Sequence, residues 1–165
     1  MNKLSKFLLF TCLLVSLSNV FADNLISNKN VIKCSYNESN VNTVIGFENA
    51  VLSYLTAGGS LDEVNKYLSD TYIQHYPLSA DGVSGLKSYL TDLKKNNAFK
   101  NTIIETYSIF GCNDYVTIEN IFYSPKNKFG TAAINTFRVN KNKIVEHWEV
   151  VQPLQEPPKN TNGVF

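Results

Sequence analysis

Apolar residues recur at helical spacing across residues 41–55, with Val44, Phe47, Val51, Tyr54 and Leu55 on one stripe, and Gly58-Gly59 closes the run as a C-cap does. Ser60 with Glu63 three positions later is a capping box. It announces a second, short helix carried by Leu61, Val64, Tyr67 and Leu68. Residues 71–77 read as an extended piece and Asp81-Gly82 as a turn. A third helix is predicted over 83–96, with Leu86, Tyr89, Leu90 and Leu93 on one side and Lys87, Asp92, Lys94 and Lys95 on the solvated other.

Past Lys100 the period changes from 3.6 to 2. Residues 102–110, 115–123, 131–139 and 143–151 are rich in Ile, Val, Thr, Tyr and Phe and read as strands. The joints at 111–114, 124–130 and 140–142 are turn chemistry, and connections this short require antiparallel hairpins. Helices first and a meander afterwards predict an α+β domain in which the helices cover one face of an antiparallel sheet.

Composition adds bounds. The chain has 165 residues, 44% hydrophobic and 18% charged, which suits one globular domain and argues against a disordered or collagen-like protein. Lys3 and Lys6 precede an apolar run, and Val20-Phe21-Ala22 offers small or aliphatic residues before a cut, so residues 1–22 read as an export signal, placing the protein in the periplasm or outside the cell. An uncut membrane anchor is the alternative; elsewhere no apolar run is long enough to span a membrane. Losing Lys3 and Lys6 with the leader turns the net charge of +1 into −1, and the only arginine is Arg138, so a nucleic-acid partner is not expected. Cys12 falls in the leader. Cys34 and Cys112 remain, either as a disulfide suited to an oxidising compartment or as two buried thiols. Residues 23–40 read as a polar arm and 154–165 as a tail. No phosphate-cradling glycine loop and no metal-ligand spacing occurs, so no cofactor or metal is expected.

Two segments resemble a known family. Tyr72-Ile73-Gln74-His75-Tyr76-Pro77, followed by Asp81-Gly82 and Gly85, resembles the YxQHNP…DGxxG segment of SnoaL-like proteins in the nuclear-transport-factor-2-like (NTF2-like) superfamily. Phe137-Arg138-Val139 with the stretch from Lys143 to Gln152 resembles that group's closing FRxxxGKIxEHWDxxQ strand. The resemblance covers residues 41–153. It implies a cone-shaped domain whose curved sheet and helices enclose a pocket, as in polyketide cyclases, ketosteroid isomerases, dehydratases and non-enzymatic binders. It also implies a homodimer through the exposed sheet face. Family cyclases and some hydrolases use an acid on the last strand as general acid or base; the aligned position here is Gln152, which cannot take up a proton. Tyr76 stands where relatives commonly have asparagine, and Asn142 replaces a hairpin glycine.

Residues two apart on a strand share a face, so Ile144, Glu146, Trp148, Val150 and Gln152 form one set and Val145, His147, Glu149 and Val151 the other. The resemblance places the Gln152 set inside the cone. Glu146 is then either a pocket acid with a raised pKa or the partner of Arg138 or a lysine in a structural ion pair. His75 is a candidate acid, base or donor, or a structural histidine. Tyr72 and Gln74 share parity and supply polar handles on the pocket wall, or else packing and a backbone tie; Trp148 shapes the wall. Two functions remain open: a binder of a small apolar or carbonyl-containing ligand, and a proton-transfer enzyme using Glu146 or His75 with Gln152 or Tyr72 steadying an oxyanion.

Overall fold

The computed structural model describes residues 33–156 and 159–165. Residues 1–22, expected as an export signal, and the first part of the expected arm lie outside the described residues. The described elements run α1 (Glu38–Thr56), α2 (Leu61–Asn65), β1 (Leu68–Gln74), α3 (Gly82–Lys95), β2 (Ile103–Cys112), β3 (Tyr115–Ser124), β4 (Asn127–Asn140) and β5 (Lys143–Pro153). α1 begins three residues before the apolar stripe, because the Asn37 side chain caps it by accepting from the Asn40 amide at 3.3 Å. The predicted capping box at α2 is half made: Ser60 Oγ accepts from the Glu63 amide, while the Glu63 carboxylate pairs with Lys66 instead.

The strands form one curved, unclosed sheet in the order β1-β5-β4-β3-β2. The expected antiparallel meander is present from β2 to β5. The sheet as a whole is mixed, because β1 pairs parallel with β5. Parallel pairing needs a long crossover, and α3 with the meander supplies it, so nothing local to residues 71–77 announces the partner. The second joint is tighter than expected. β4 already begins at Asn127, whose amide donates to Ser124 Oγ and whose side chain donates to the Gly130 carbonyl.

One irregularity governs the rest of the molecule. Val139 pairs with Ile144, but the next pair is Arg138 with Glu146, so Val145 is an extra residue in β5. Such a bulge shifts the register by one, and a shift of one sends every later side chain to the opposite face. Ile144 points at the helices and is fully buried. Beyond the bulge it is His147, buried, and Glu149 that share this side, while Glu146, Trp148, Val150 and Gln152 turn to the other. The expected inward set is therefore corrected to Ile144, His147 and Glu149. A uniform period of two could not foresee an inserted residue.

The core lies between the helices and this inner face. Val44, Phe47, Tyr54, Leu86 and Leu90 pack on Val116, Ile118, Phe137, Val139 and Ile144. Burial of each large apolar side chain contributes about 1.5–3 kcal/mol, and Phe47 meets the Phe137 ring edge-on at 5.6 Å. At the start of the domain Cys34 is bonded to Cys112 at the end of β2, with the Cα atoms 4.9 Å apart.

Candidate functional site

Where α1 and α3 diverge over the sheet they leave a cavity of about 100 Å³. Its walls are apolar: Phe47, Val51, Leu52 and Leu55 from α1, Leu86, Leu90 and Leu93 from α3, with Phe99 and Phe122. Polar groups converge on it from four elements: Glu48 on α1, Gln74 on β1, Asn135 on β4 and His147 and Glu149 on β5, with Tyr76 and Tyr89 at the side. A second cavity of about 100 Å³ adjoins it, sharing Glu48, Leu52 and Phe122.

Glu149 reaches this wall because it pairs with Asn135 above the bulge. Burial pushes its carboxyl up to about 7. Glu48 is likewise raised to about 7, first by burial and then by the charge of Glu149. Glu48 therefore senses the charge of Glu149 on the same wall. His147 stacks on Phe137 at 4.5 Å and its Nε2 donates to Asn135 Oδ1 at 2.9 Å. Burial, and secondarily the charge of His75, lowers its pKa to about 3, so the ring is neutral. Donation through Nε2 leaves Nδ1 as the bare acceptor, and among the described residues it has no hydrogen-bond partner.

The first motif is a clamp behind the pocket. Gln74 Nε2 donates to the Tyr72 hydroxyl at 2.8 Å, and Gln74 Oε1 accepts from the Tyr76 amide at 2.9 Å. Asp81 Oδ1 accepts from the amides of Gln74 and Gly82, both at 2.8 Å, tying the strand end to the start of α3. These hydrogen bonds hold the Asp81 carboxyl below its ordinary value. Gly82 has a φ of +75°, and a Cβ on Gly85 would lie 2.0 Å from the Ala80 carbonyl oxygen, which accounts for both glycines of the motif. Tyr72 is buried, and burial raises its hydroxyl well above the usual range. Gln74 lines the cavity with both amide atoms engaged.

The remaining predicted residues meet on the opposite face. Glu146 accepts from Arg138 Nε at 2.7 Å, from Arg138 Nη2 at 2.6 Å and from His75 Nε2 at 2.8 Å. Burial works against its charge, but the bonds from His75 and Arg138 outweigh it, and its carboxyl sits below the ordinary value rather than above. Arg138 is thus the partner that the ion-pair alternative named. His75 lies flat on Trp148, ring centres 4.8 Å apart and planes 2° from parallel. Gln152 is exposed beside Ala132 on the same outer face. The structure brings Glu146, His75 and Trp148 together, but away from the cavity that Gln74 lines.

Glu48, Glu149 and the acceptor on His147 were not among the candidates. Glu48 was visible in principle, since it falls between Val44 and Val51–Leu52 on the apolar stripe of α1, where an acid is unexpected. Glu149 fills the aspartate position of the closing motif, but its direction depended on the bulge.

No protein-family model matches the chain, and no curated protein matches it in sequence. Solved structures do match in fold. IdmH of Streptomyces antibioticus, a candidate polyketide cyclase, superposes with a TM-score of 0.53 at 17% identity, over 68% of this chain and 91% of that one. An NTF2-like protein of unknown function from Cytophaga hutchinsonii matches at 0.51 and 15%, covering 76% and 95%. An LEH-like epoxide hydrolase of M. tuberculosis matches at 0.50 and 14%, covering 70% and 84%. The chain has the NTF2-like fold that its two motifs led one to expect.

Proposed function

We propose that the chain is a pocket protein that admits a small, largely apolar molecule between helices and sheet and exchanges a proton with it through Glu149. The observation that carries this reading is the placement of Glu149 on the last strand, inside an apolar-walled cavity, with its pKa near 7. A proton-transfer group works best when its pKa lies near the working pH. Glu48, the second acid on the same wall, can store the proton. The polyketide-cyclase candidate and the epoxide hydrolase of the same fold support a chemical role for such a pocket.

The test is to titrate the protein with neutral fragments of about five or six non-hydrogen atoms and follow the side-chain resonances of Leu86, Leu90 and Phe122. Shifts confined to these residues are expected, and proton exchange on a bound ketone should fall about 100-fold in Glu149→Gln with binding retained. Absence of any cavity shift overturns the pocket; unchanged exchange overturns the role of Glu149.

The protein is further proposed to be exported, with cleavage after Ala22, and to pair with a second copy through the outer sheet face. The leader pattern supports the first, and exposed Phe110, Ile134 and Val150 on that face support the second. Intact mass of the cell-envelope protein, starting at Asp23 or at Met1, decides the cleavage. Sedimentation at twice the chain mass, or at one chain mass, decides the dimer.

A further inference from the structure

Every Asp and Glu of the chain lies outside two short segments, residues 94–101 and 124–130, and these segments hold Lys94, Lys95, Lys100, Lys126 and Lys128. The fold sets the two side by side. The first runs from the last turn of α3 toward β2 and the second is the β3–β4 joint. A hollow of about 290 Å³ between them is lined by Asn97, Lys100 and Asn101 from one and by Ser124, Pro125 and Lys126 from the other. Lys95, Lys100, Lys126 and Lys128 are exposed, whereas Lys94 lies over the Tyr54 ring at 4.0 Å. Among the described residues none of the five is paired with a carboxylate.

Neither turn is free to spread its charges apart. Asn97 and Asn101 take φ of 52° and 59°, a conformation asparagine tolerates, and the Ala98, Lys100 and Thr102 amides donate back to the carbonyls of Leu93, Asn97 and Phe99. Phe99 is turned inward, edge-on to Phe122 at 5.7 Å, which pins the turn and leaves Lys100 at the surface. In the hairpin Asn127 bonds Ser124 Oγ and the Gly130 carbonyl, so Lys126 and Lys128 are carried on a closed turn as well. Like charges held together in this way repel, and an anionic partner relieves the repulsion.

We infer that these two turns dock the protein on an anionic lipid surface, with Lys95, Lys100, Lys126 and Lys128 reaching the headgroup phosphates and Pro125 lying between them. A cluster of exposed lysines without an intervening acid is what such a surface attracts, each lysine near it adding about 5-fold in affinity. A nucleic acid is the other polyanion, and it fits less well: its phosphates are held best by the planar guanidinium of arginine, and the only arginine, Arg138, is tied to Glu146 on the outer sheet face. The docking stands whether or not Glu149 exchanges a proton. It adds a consequence for the cavity, because Phe99 belongs both to the lysine-bearing turn and to the cavity wall, so a docked protein holds that end of the cavity beside the lipid.

The experiment is co-sedimentation of the protein, as isolated from its cells, with phosphatidylcholine vesicles that do or do not contain about one-third phosphatidylglycerol. Binding to the anionic vesicles is expected to exceed binding to the neutral ones by about 10-fold or more, and to be lost at about 1 M salt, where the screening length falls to about 3 Å. Lys100→Gln and Lys126→Gln should each weaken it about 5-fold and the double variant about 25-fold. Lys141→Gln, in the β4–β5 turn at the far end of β4, should change it by less than about 2-fold. Amide signals of residues 96–101 and 124–128 should be the ones broadened when anionic vesicles are added, which locates the contact without any substitution. Equal binding to both vesicles, equal losses in the Lys100 and Lys141 variants, or broadening centred elsewhere overturns the inference and leaves the pocket reading intact. A DNA duplex bound more tightly than the anionic vesicles at the same salt overturns the lipid assignment in favour of a nucleic acid.

Discussion

Asn135 on β4 and Glu149 on β5 face each other across the ladder, and both line the cavity. That pairing exists because Val145 is bulged out of β5. Without the extra residue the ladder would set Glu146 and Trp148 toward the helices, and the ion pair with Arg138 would have to be buried there at a desolvation cost of several kcal/mol per ion. The bulge sorts the acids of one strand into a structural one outside and a pocket one inside.

The two acids should therefore respond oppositely to the same substitution. Glu146→Gln removes the partner of Arg138 and His75 and is expected to lower stability by about 1–2 kcal/mol, discounted because Arg138 is partly exposed, with fragment binding unchanged. Glu149→Gln is expected to leave stability at pH 8 equal or higher, because it removes a carboxyl that burial penalises, while lowering proton exchange about 100-fold. Thermal melts and fragment titrations of the two variants check the contrast; a cavity role for Glu146 would show as the reverse assignment.

Stability should depend on pH in a way traceable to the pocket. Glu48 and Glu149 have folded-state pKa values raised to about 7 from 4.5, so between pH 4.5 and 7 the folded state holds more protons than the unfolded one, and stability falls as pH rises through that window. His147, lowered to about 3 from 6.5, acts the other way: its contribution is lost as pH falls below 6.5. The difference in unfolding free energy between the unmodified protein and Glu149→Gln reports chiefly this acid, together with the smaller change at Glu48 that loses its charge. It should shrink by about 2–3 kcal/mol from about pH 4.5 to 7.5. A flat difference in urea titrations across this range would mean that Glu149 is not buried in solution.

Gly85 packs against the Ala80 carbonyl, and the Asp81 clamp depends on that approach. Gly85→Ala is expected to cost about 2 kcal/mol or more, since the added carbon meets backbone that cannot yield cheaply. Gly82→Ala, at positive φ with open space around it, should cost about 1 kcal/mol. Urea midpoints measure both, and equal costs would show that the loop moves to admit the methyl.

The Cys34–Cys112 bond closes a separation of 78 residues. In the chain-entropy model its removal by paired Cys→Ser substitution lowers stability by about 4 kcal/mol. A thiol assay on denatured, unreduced protein should find neither cysteine free, and two free thiols would remove the bond.

Local chemistry in the chain determined a good deal. The stripe of Val44, Phe47, Val51 and Tyr54, the Ser60 cap, the Asp81-Gly82 turn and the period-two runs after Lys100 specify three helices and a hairpin meander, because each is satisfied by neighbours within a few residues. Motif likeness added the NTF2-like fold. What only the tertiary structure decided depends on partners far along the chain. β1 finds β5 across the whole of α3 and the meander, Val145 is an extra residue in the β4–β5 ladder, and Glu48 is raised by burial in the assembled cavity and then by the charge of Glu149. A single unpaired residue reverses every side chain after it. Alternation along β5 therefore could not say which glutamate enters the cavity; the pairing of Asn135 with Glu149 settled it.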